Sequence, residues 1–359
     1  MIVIDGSHGE GGGQVLRTAL TLAVLTGQPA RIERIRAGRS KPGLQPQHLT
    51  AVRAAASVCQ AHVEGDTLGS QALTFAPGGP PRPGRYTFDV TEEARRGSAG
   101  AVSLVLQTVL LPLALADGES HLTLRGGTHV PWAPPVSYLE HAFLPVLARM
   151  GVQAQVELAR WGFYPAGGGE VRVRIGGQAG SLRPISLDTR GQPQRVWGVA
   201  AVTNLPAHIP QRMSARARNV LAEARLEADI EPRRLRGAGP GAGIFLFAAY
   251  APSPGGATVT AGFSAYGRKG LPAERVAEAA CTDLLAHHRT GAPVDPHLAD
   301  QLVLPMALAQ GKSRAVTSEI SRHLETNVWV TRQFLVRELR IERQPDGQAL
   351  LATKEQTND

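Results

Sequence analysis

Lysine and cysteine are scarce in this chain, and no apolar run is long enough to cross a bilayer. Lys41, Lys269, Lys312 and Lys354 are the only lysines among 38 basic residues. The two cysteines, Cys59 and Cys281, allow at most one disulfide and have no metal-ligand spacing. That usage suits a reducing cytoplasm, the expected location. The most apolar segment, Leu104 to Leu115, is too short for a membrane span. The N-terminal residues include Asp5 and Glu10 and lack the basic start and apolar stretch of a secretory signal. Neither a membrane nor an obligate protein partner is expected. Three common nucleotide signatures are missing as well. Gly311-Lys312-Ser313 has Met306 where a P-loop needs glycine. Asp5-Gly6 has Val3 where a lysine-dependent nucleotidyl transferase needs its lysine. The glycines do not have dinucleotide-fold spacing.

What remains is a basic chain of ordinary globular composition. Its 359 residues are 43% hydrophobic and 19% charged, with net charge +8 and pI near 10.1. Such a balance favours a polyanionic partner, and arginine, which supplies the other 34 cations, suits bidentate phosphate contacts. Genomic base bias would also enrich arginine, so the charge is weak support for nucleic acid.

The segment Asp5-Gly-Ser-His-Gly-Glu-Gly-Gly-Gly-Gln14 follows an apolar strand-like run and opens a helical pattern carrying Arg17. Glycines allow close backbone approach, and a helix N-terminus attracts anions. Glu10 would repel phosphate unless a divalent metal lay between them. The segment therefore reads as a phosphate-and-metal loop. A tight strand-to-helix turn with an incidental Glu fits it equally well.

Three stretches share one plan: an apolar helix ending at glycine, a strand, a loop and a second helix. They end at Gly27, Gly118 and Gly311. The strands are expected over Ala30–Ile35, His121–Leu124 and Ala315–Ile320, and the second helices near Pro46, Pro135 and Thr326. The first interval is 91 residues and the second 193, an excess of about one domain. The expected architecture is α/β: three repeated units, each a four-stranded sheet with two helices, plus a smaller inserted α/β domain. The large domain covers 1–183 and 277–359, and the insertion 184–276. The aligned loops carry Arg36–Lys41, Gly126–His129 and Ser321–His323, which would meet if the units pack around a pseudo-threefold. Phe163–Glu170, a second glycine run, reads as a tight hairpin. The tail from Glu355 is expected to be disordered.

Seven stretches then become specific together: Asp5–Gln14, Ile35–Gly43, Gln47–Val52, Leu104–Thr108, Gly162–Gly169, Leu298–Ala307 and His323–Asn327. In order and spacing they resemble the RNA 3′-terminal-phosphate cyclase family over nearly the whole chain. The resemblance implies an enzyme that uses ATP and a divalent metal, Mg2+ or Mn2+, to convert an RNA 3′-phosphate into a 2′,3′-cyclic phosphate. DNA ends are a further candidate substrate. His323 would attack the α-phosphate of ATP and carry AMP to the RNA 3′-phosphate, after which the 2′-hydroxyl closes the ring and expels AMP. Neutral imidazole is a competent nucleophile near pH 7.

By the same resemblance, Glu10 would be the metal ligand. Gln14, Arg17, Arg36, Arg39, Gln47 and His48 would hold phosphate groups. Gln107, Pro134, His297, Asp300 and Gln301 would form the adenosine pocket, with Asp300 on the ribose hydroxyls. Ordinary roles also account for some of them: solvation for Arg17, structural capping for Gln107, a surface acid for Asp300. The chain departs from the family pattern at His297 (often tyrosine), Trp161 (usually Arg or His) and His129-Val130 (commonly Asp-Asn). These departures bear on base preference. A non-catalytic RNA-binding assembly factor of the same fold is the alternative, and His323, which that branch lacks, argues against it. An enolpyruvyl-transferase-like enzyme would leave His323 unexplained.

Overall fold

The computed structural model describes residues 1–92, 99–177, 180–251 and 258–354. The tail 355–359, expected to lack order, lies outside them. The described elements form four four-stranded sheets. The first contains β1 (Ile2–Asp5), β2 (Ala30–Glu33), β3 (His62–Glu64) and β4 (Leu73–Ala76), in the order β1-β2-β4-β3. β1 and β2 are parallel, so they need a crossover, and α1 (Gly13–Thr26) supplies it. α2 (Pro46–Cys59) leads from β2 to β3.

The second sheet has β5 (Arg85–Asp89), β6 (Ser120–Gly126), β7 (Gln153–Arg160) and β8 (Gly169–Gly176), in the order β5-β6-β8-β7. Its crossover is α3 (Val102–Ala114). Its second helix is a continuous rod of α4 (Val136–Tyr138), a π-helical segment Leu139–Phe143, and α5 (Leu144–Arg149). The hairpin expected at Phe163–Glu170 joins β7 to β8.

After β9 (Ser186–Leu187) the chain builds a separate sheet from β10 (Pro193–Thr203), β11 (Ala228–Leu235), β12 (Gly241–Tyr250) and β13 (Val259–Tyr266). Its order, β11-β10-β12-β13, differs from the others. α6 (His208–Glu223) and α7 (Ala273–Thr290) cover it. The chain then returns through α8 (Pro296–Leu308), β14 (Arg314–Thr317), α9 (Arg322–Phe334), β15 (Leu339–Arg343) and β16 (Ala349–Thr353). The resulting sheet, β15-β16-β14-β9, pairs its strands in the same parallel and antiparallel senses as the first two.

Several boundaries differ from expectation. β9 pairs in parallel with β14, so residues after 184 contribute to the third sheet. The expected boundary at 276/277 would divide α7, whose Ala277, Ala280, Cys281 and Leu284 all pack in one core with Met213, Ala217 and Leu221 of α6. β14 stops at Thr317 rather than Ile320, and α9 begins at Arg322, not near Thr326. Ser321 causes the early start: its Oγ accepts the Leu324 N–H at 2.9 Å. His323 is thereby held in the first turn of a helix.

The main core runs through α1, α2, α3, α8 and α9. α1 is buried from Val15 through Val24, because α2, α3 and α9 all pack against it. Arg17, Thr18 and Thr21 must therefore find polar partners inside the protein.

Candidate active site

The glycine loop leaves β1 and lies against α9. Gly9 and Gly11 take φ values of 61° and 62°, which glycine adopts without Cβ strain. Two contacts clamp the loop to α9: the Glu10 N–H donates to Thr326 Oγ1 at 3.1 Å, and the His8 ring stacks on Trp329 at 3.8 Å. A Cβ on Gly12 would lie 2.2 Å from Glu10 Oε2, so the glycine lets the carboxylate fold over the first turn of α1. A helix N-terminus favours negative charge there.

Glu10 faces both neighbouring loops. Arg39 pairs with its Oε1 and donates from Nη2 to its carbonyl at 3.1 Å. Oε2 is buried without a hydrogen-bond partner and stands 3.9 Å from His323 Nδ1, which is also buried and unpartnered. The His323 side chain is nonetheless 46% exposed. With Nδ1 buried, the exposed part of the ring lies elsewhere. Burial, then Arg17, His297 and Arg39, push its pKa down to about 4, so the imidazole is neutral at pH 7.

Arg17 projects from α1 and is only 8% exposed. Its Nη2 donates to Gln14 Oε1 at 2.6 Å, while Nε has no partner. Among the described residues no carboxylate lies within ion-pair distance, and burial lowers its pKa to about 10. A buried cation without an acid is costly unless an anion arrives. His48 packs beside it: a Cβ on Gly13 would meet His48 Nε2 at 2.4 Å and Arg17 Nη1 at 2.8 Å. His48 Nδ1 accepts the Gln45 N–H at 3.1 Å. Burial, then Arg17 and Arg36, lower its pKa to about 3. Arg36 has φ 54° and donates from Nη1 to the carbonyls of Lys41 and Gly43. Gln47 is engaged elsewhere: its Oε1 accepts the Ala101 N–H at 3.1 Å, tying α2 to the start of α3.

A pocket opens between α1, α3 and α8. Gln14, Arg17, Gln107, Asp300 and Gln301 line it with Asn327, and Leu110, Leu111, Phe143 and Leu304 form an apolar wall. Gln107 Nε2 donates to Gln301 Oε1 at 2.7 Å. Gln14 bonds Thr18, Thr18 donates to Asn327 Oδ1 at 2.7 Å, and Asn327 Nδ2 donates to the Asp300 carbonyl at 2.8 Å. The Asp300 carboxylate accepts from Ser321 Oγ. One polar chain thus runs from the buried arginine to the cap of the helix bearing His323. Burial raises the Asp300 pKa to about 7.

Pro134 and His297 are not part of this lining. His297 is exposed in the first turn of α8 and sits edge-on to Tyr138 at 6.4 Å. Thr18, Thr326 and Asn327 escaped the sequence reading. Thr326 and Asn327 follow His323 by three and four residues, the spacing that puts them on one helix face. Of the three aligned loops, the first and third meet at Glu10. The second does not: His129 is fully buried and stacks on Trp161 at 4.0 Å, against Phe245 of the inserted sheet.

Among the described residues no group of three or more His, Cys, Asp or Glu side chains could hold a metal. Glu10 Oε2 is an orphaned oxygen that fits one ligand position of a hard cation. The remaining ligands would come from substrate oxygens and water.

A family model described as RNA 3′-terminal phosphate cyclase matches residues 8–341. The chain is similar to the RNA 3′-terminal phosphate cyclase of Trichormus variabilis, with 57% identity over 93% of this chain and 94% of that protein. Identity to the protein of the same name from Methylococcus capsulatus is 56%, over 93% of this chain and 91% of that one. For Pyrobaculum neutrophilum it is 43%, over 95% and 94%. With unpartnered buried nitrogens on α1 and α9 and a carboxylate oxygen in the glycine loop, and with this breadth of match, the chain belongs to the RNA 3′-terminal phosphate cyclase family.

Proposed function

We propose that this protein converts an RNA 3′-terminal phosphate to a 2′,3′-cyclic phosphate, using ATP and a histidine–AMP intermediate. The observation that carries the reading is the cluster of unpartnered buried atoms Arg17 Nε, Glu10 Oε2 and His323 Nδ1. Such atoms are costly unless a ligand completes them. A triphosphate supplies oxygens for Arg17, with Arg36, Arg39 and His48 around it. The pocket beside Gln107, Asp300 and Gln301 accepts the nucleoside, and the Asp300 carboxylate accepts from a ribose hydroxyl. A divalent ion at Glu10, when bound, neutralises phosphate charge.

The His323 ring turns Nδ1 toward Glu10, leaving the Nε2 lone pair to attack. An N–P bond forms at the α-phosphorus, the bond to the bridging oxygen breaks, and pyrophosphate leaves. An oxygen of the RNA 3′-phosphate then takes the adenylyl group and frees the imidazole. The 2′-hydroxyl attacks the activated phosphorus, loses its proton and expels AMP. Helix α9 holds the nucleophile rigidly through the Ser321 cap, so little motion is needed for in-line attack.

The test is incubation with α-labelled ATP and magnesium, followed by a search for an acid-labile protein adduct. Wild type is expected to form it and His323→Ala to lack it. A 3′-phosphorylated RNA then discharges the label and becomes phosphatase-resistant. Label that survives in His323→Ala overturns the mechanism.

A further inference from the structure

One end of the inserted sheet carries an uncompensated row of cations. The register pairs Thr203 with Leu235 and Gly241, and Gly243 with Tyr266, so these residues share one end. Arg234, Arg236, Arg268 and Lys269 lie at or just past it, and all four are exposed. No Asp or Glu occurs from Pro232 to Pro272, nor from Trp161 to Gly169. Some arginines elsewhere in the same unit are neutralised, as in Arg233–Glu231 at 2.6 Å and Arg212–Glu274 at 2.7 Å. Among the described residues none of the four rim cations enters an ion pair; Arg234 only donates from Nε to the Leu205 carbonyl at 3.0 Å.

An aromatic ring stands at the same rim. Tyr164, 62% exposed, is at the tip of the β7–β8 hairpin. That hairpin abuts the rim: a Cβ on Gly168 would lie 2.5 Å from Ala238 Cβ, and one on Gly239 would lie 2.6 Å from Ala166 Cβ. With strands about 4.8 Å apart, the rim is roughly 14 Å wide, enough for two or three phosphates of an extended strand. Cations in a row beside an exposed aromatic ring are the makings of a single-strand nucleic-acid surface.

We propose that this rim binds the RNA strand upstream of the reacting 3′ end. The inference rests on the cyclase reading and gives the inserted unit a task in it. The cations neutralise backbone phosphates without reading sequence, and Tyr164 stacks on a base.

The test compares wild type with Arg236→Ser/Arg268→Ser/Lys269→Ser on a labelled 20-nucleotide single-stranded RNA bearing a 3′-phosphate. Binding is followed by fluorescence anisotropy from low to moderate salt. The variant is expected to bind about tenfold more weakly at low salt, and its log–log salt slope to fall by about 2, since each lost phosphate contact removes about 0.7. KM for a 3′-phosphorylated dinucleotide, formation of the ATP adduct and the melting temperature stay unchanged. Equal affinity and equal salt slope in wild type and variant would overturn the proposal. Failure of wild type to cyclise either RNA would instead count against the cyclase reading, and the anisotropy comparison would still judge the rim.

Discussion

Glu10 Oε2 and His323 Nδ1 stand 3.9 Å apart, each buried and without a hydrogen-bond partner. The gap is too long for a direct hydrogen bond. Glu10→Gln keeps the shape and removes the charge. The variant is expected to form the ATP adduct about 100-fold more slowly and to need more magnesium for half-maximal rate. A magnesium titration of adduct formation checks this, and an unchanged midpoint would remove Glu10 from the metal.

Arg17 is a buried guanidinium waiting for an anion. Arg17→Met removes an uncompensated charge, so the ligand-free variant is expected to melt at or above the wild-type temperature. ATP at 100 times its Kd should stabilise wild type by about 2.7 kcal/mol, and Arg17→Met should lose most of that gain. Thermal melts with and without ATP decide the matter. A full ATP-dependent shift in the variant contradicts the assignment.

Asp300 gives the protein a pH dependence of definite sign. Burial lifts its pKa from 3.8 to about 7, so the folded protein keeps a proton that the unfolded chain releases. Stability therefore falls as pH rises from about 4 to about 7. In Asp300→Asn that loss disappears. The variant is expected to melt with wild type at pH 4 and about 2–4 °C above it at pH 8. Its affinity for ATP should fall about tenfold, measurable by calorimetry, if the carboxylate meets the ribose. Parallel melting curves across the pH range would refute the linkage.

Gly13 is explained by space rather than by helix propensity. Alanine is favoured over glycine in a helix by about 1 kcal/mol, but a Cβ here meets His48 and Arg17. Gly13→Ala is expected to lose about 1–3 kcal/mol of stability by overpacking and to weaken ATP binding. Denaturant melts read the first effect and calorimetry the second; a stabilised variant with normal ATP affinity would show that the contact yields.

The His8–Trp329 stack holds the glycine loop against α9, the helix that carries His323. Trp329→Ala is expected to slow adduct formation about tenfold, with KM for ATP nearly unchanged, and Trp329→Phe to restore the rate. Equal rates in all three proteins would reduce the stack to packing.

The α/β class, the glycine loop opening α1 and the helix starts at Pro46 and near Pro135 are readable because each depends on neighbours in sequence. Capping residues, glycine and periodicity act within a few positions. His323 stands out through its motif, whereas the start of its helix is set by the Ser321 cap, which hydrophobic periodicity does not mark. Gln47 has a structural tie that its neighbours do not announce: its Oε1 accepts the N–H of Ala101, a residue 54 positions away. Nothing in the local pattern marks that bond.

The sequence by itself determined which chemical groups this protein owns: a carboxylate in a glycine loop, a cluster of arginines, one histidine in a specific motif. Only the tertiary structure decided what those groups are to one another. Packing α1 against α9 buries Arg17 without an acid and brings Glu10 beside His323, 313 positions along the chain. The physical reason is desolvation. The pKa of His323, the unmet charge of Arg17 and the raised carboxyl of Asp300 come from what surrounds them, and those surroundings exist only once distant helices have closed.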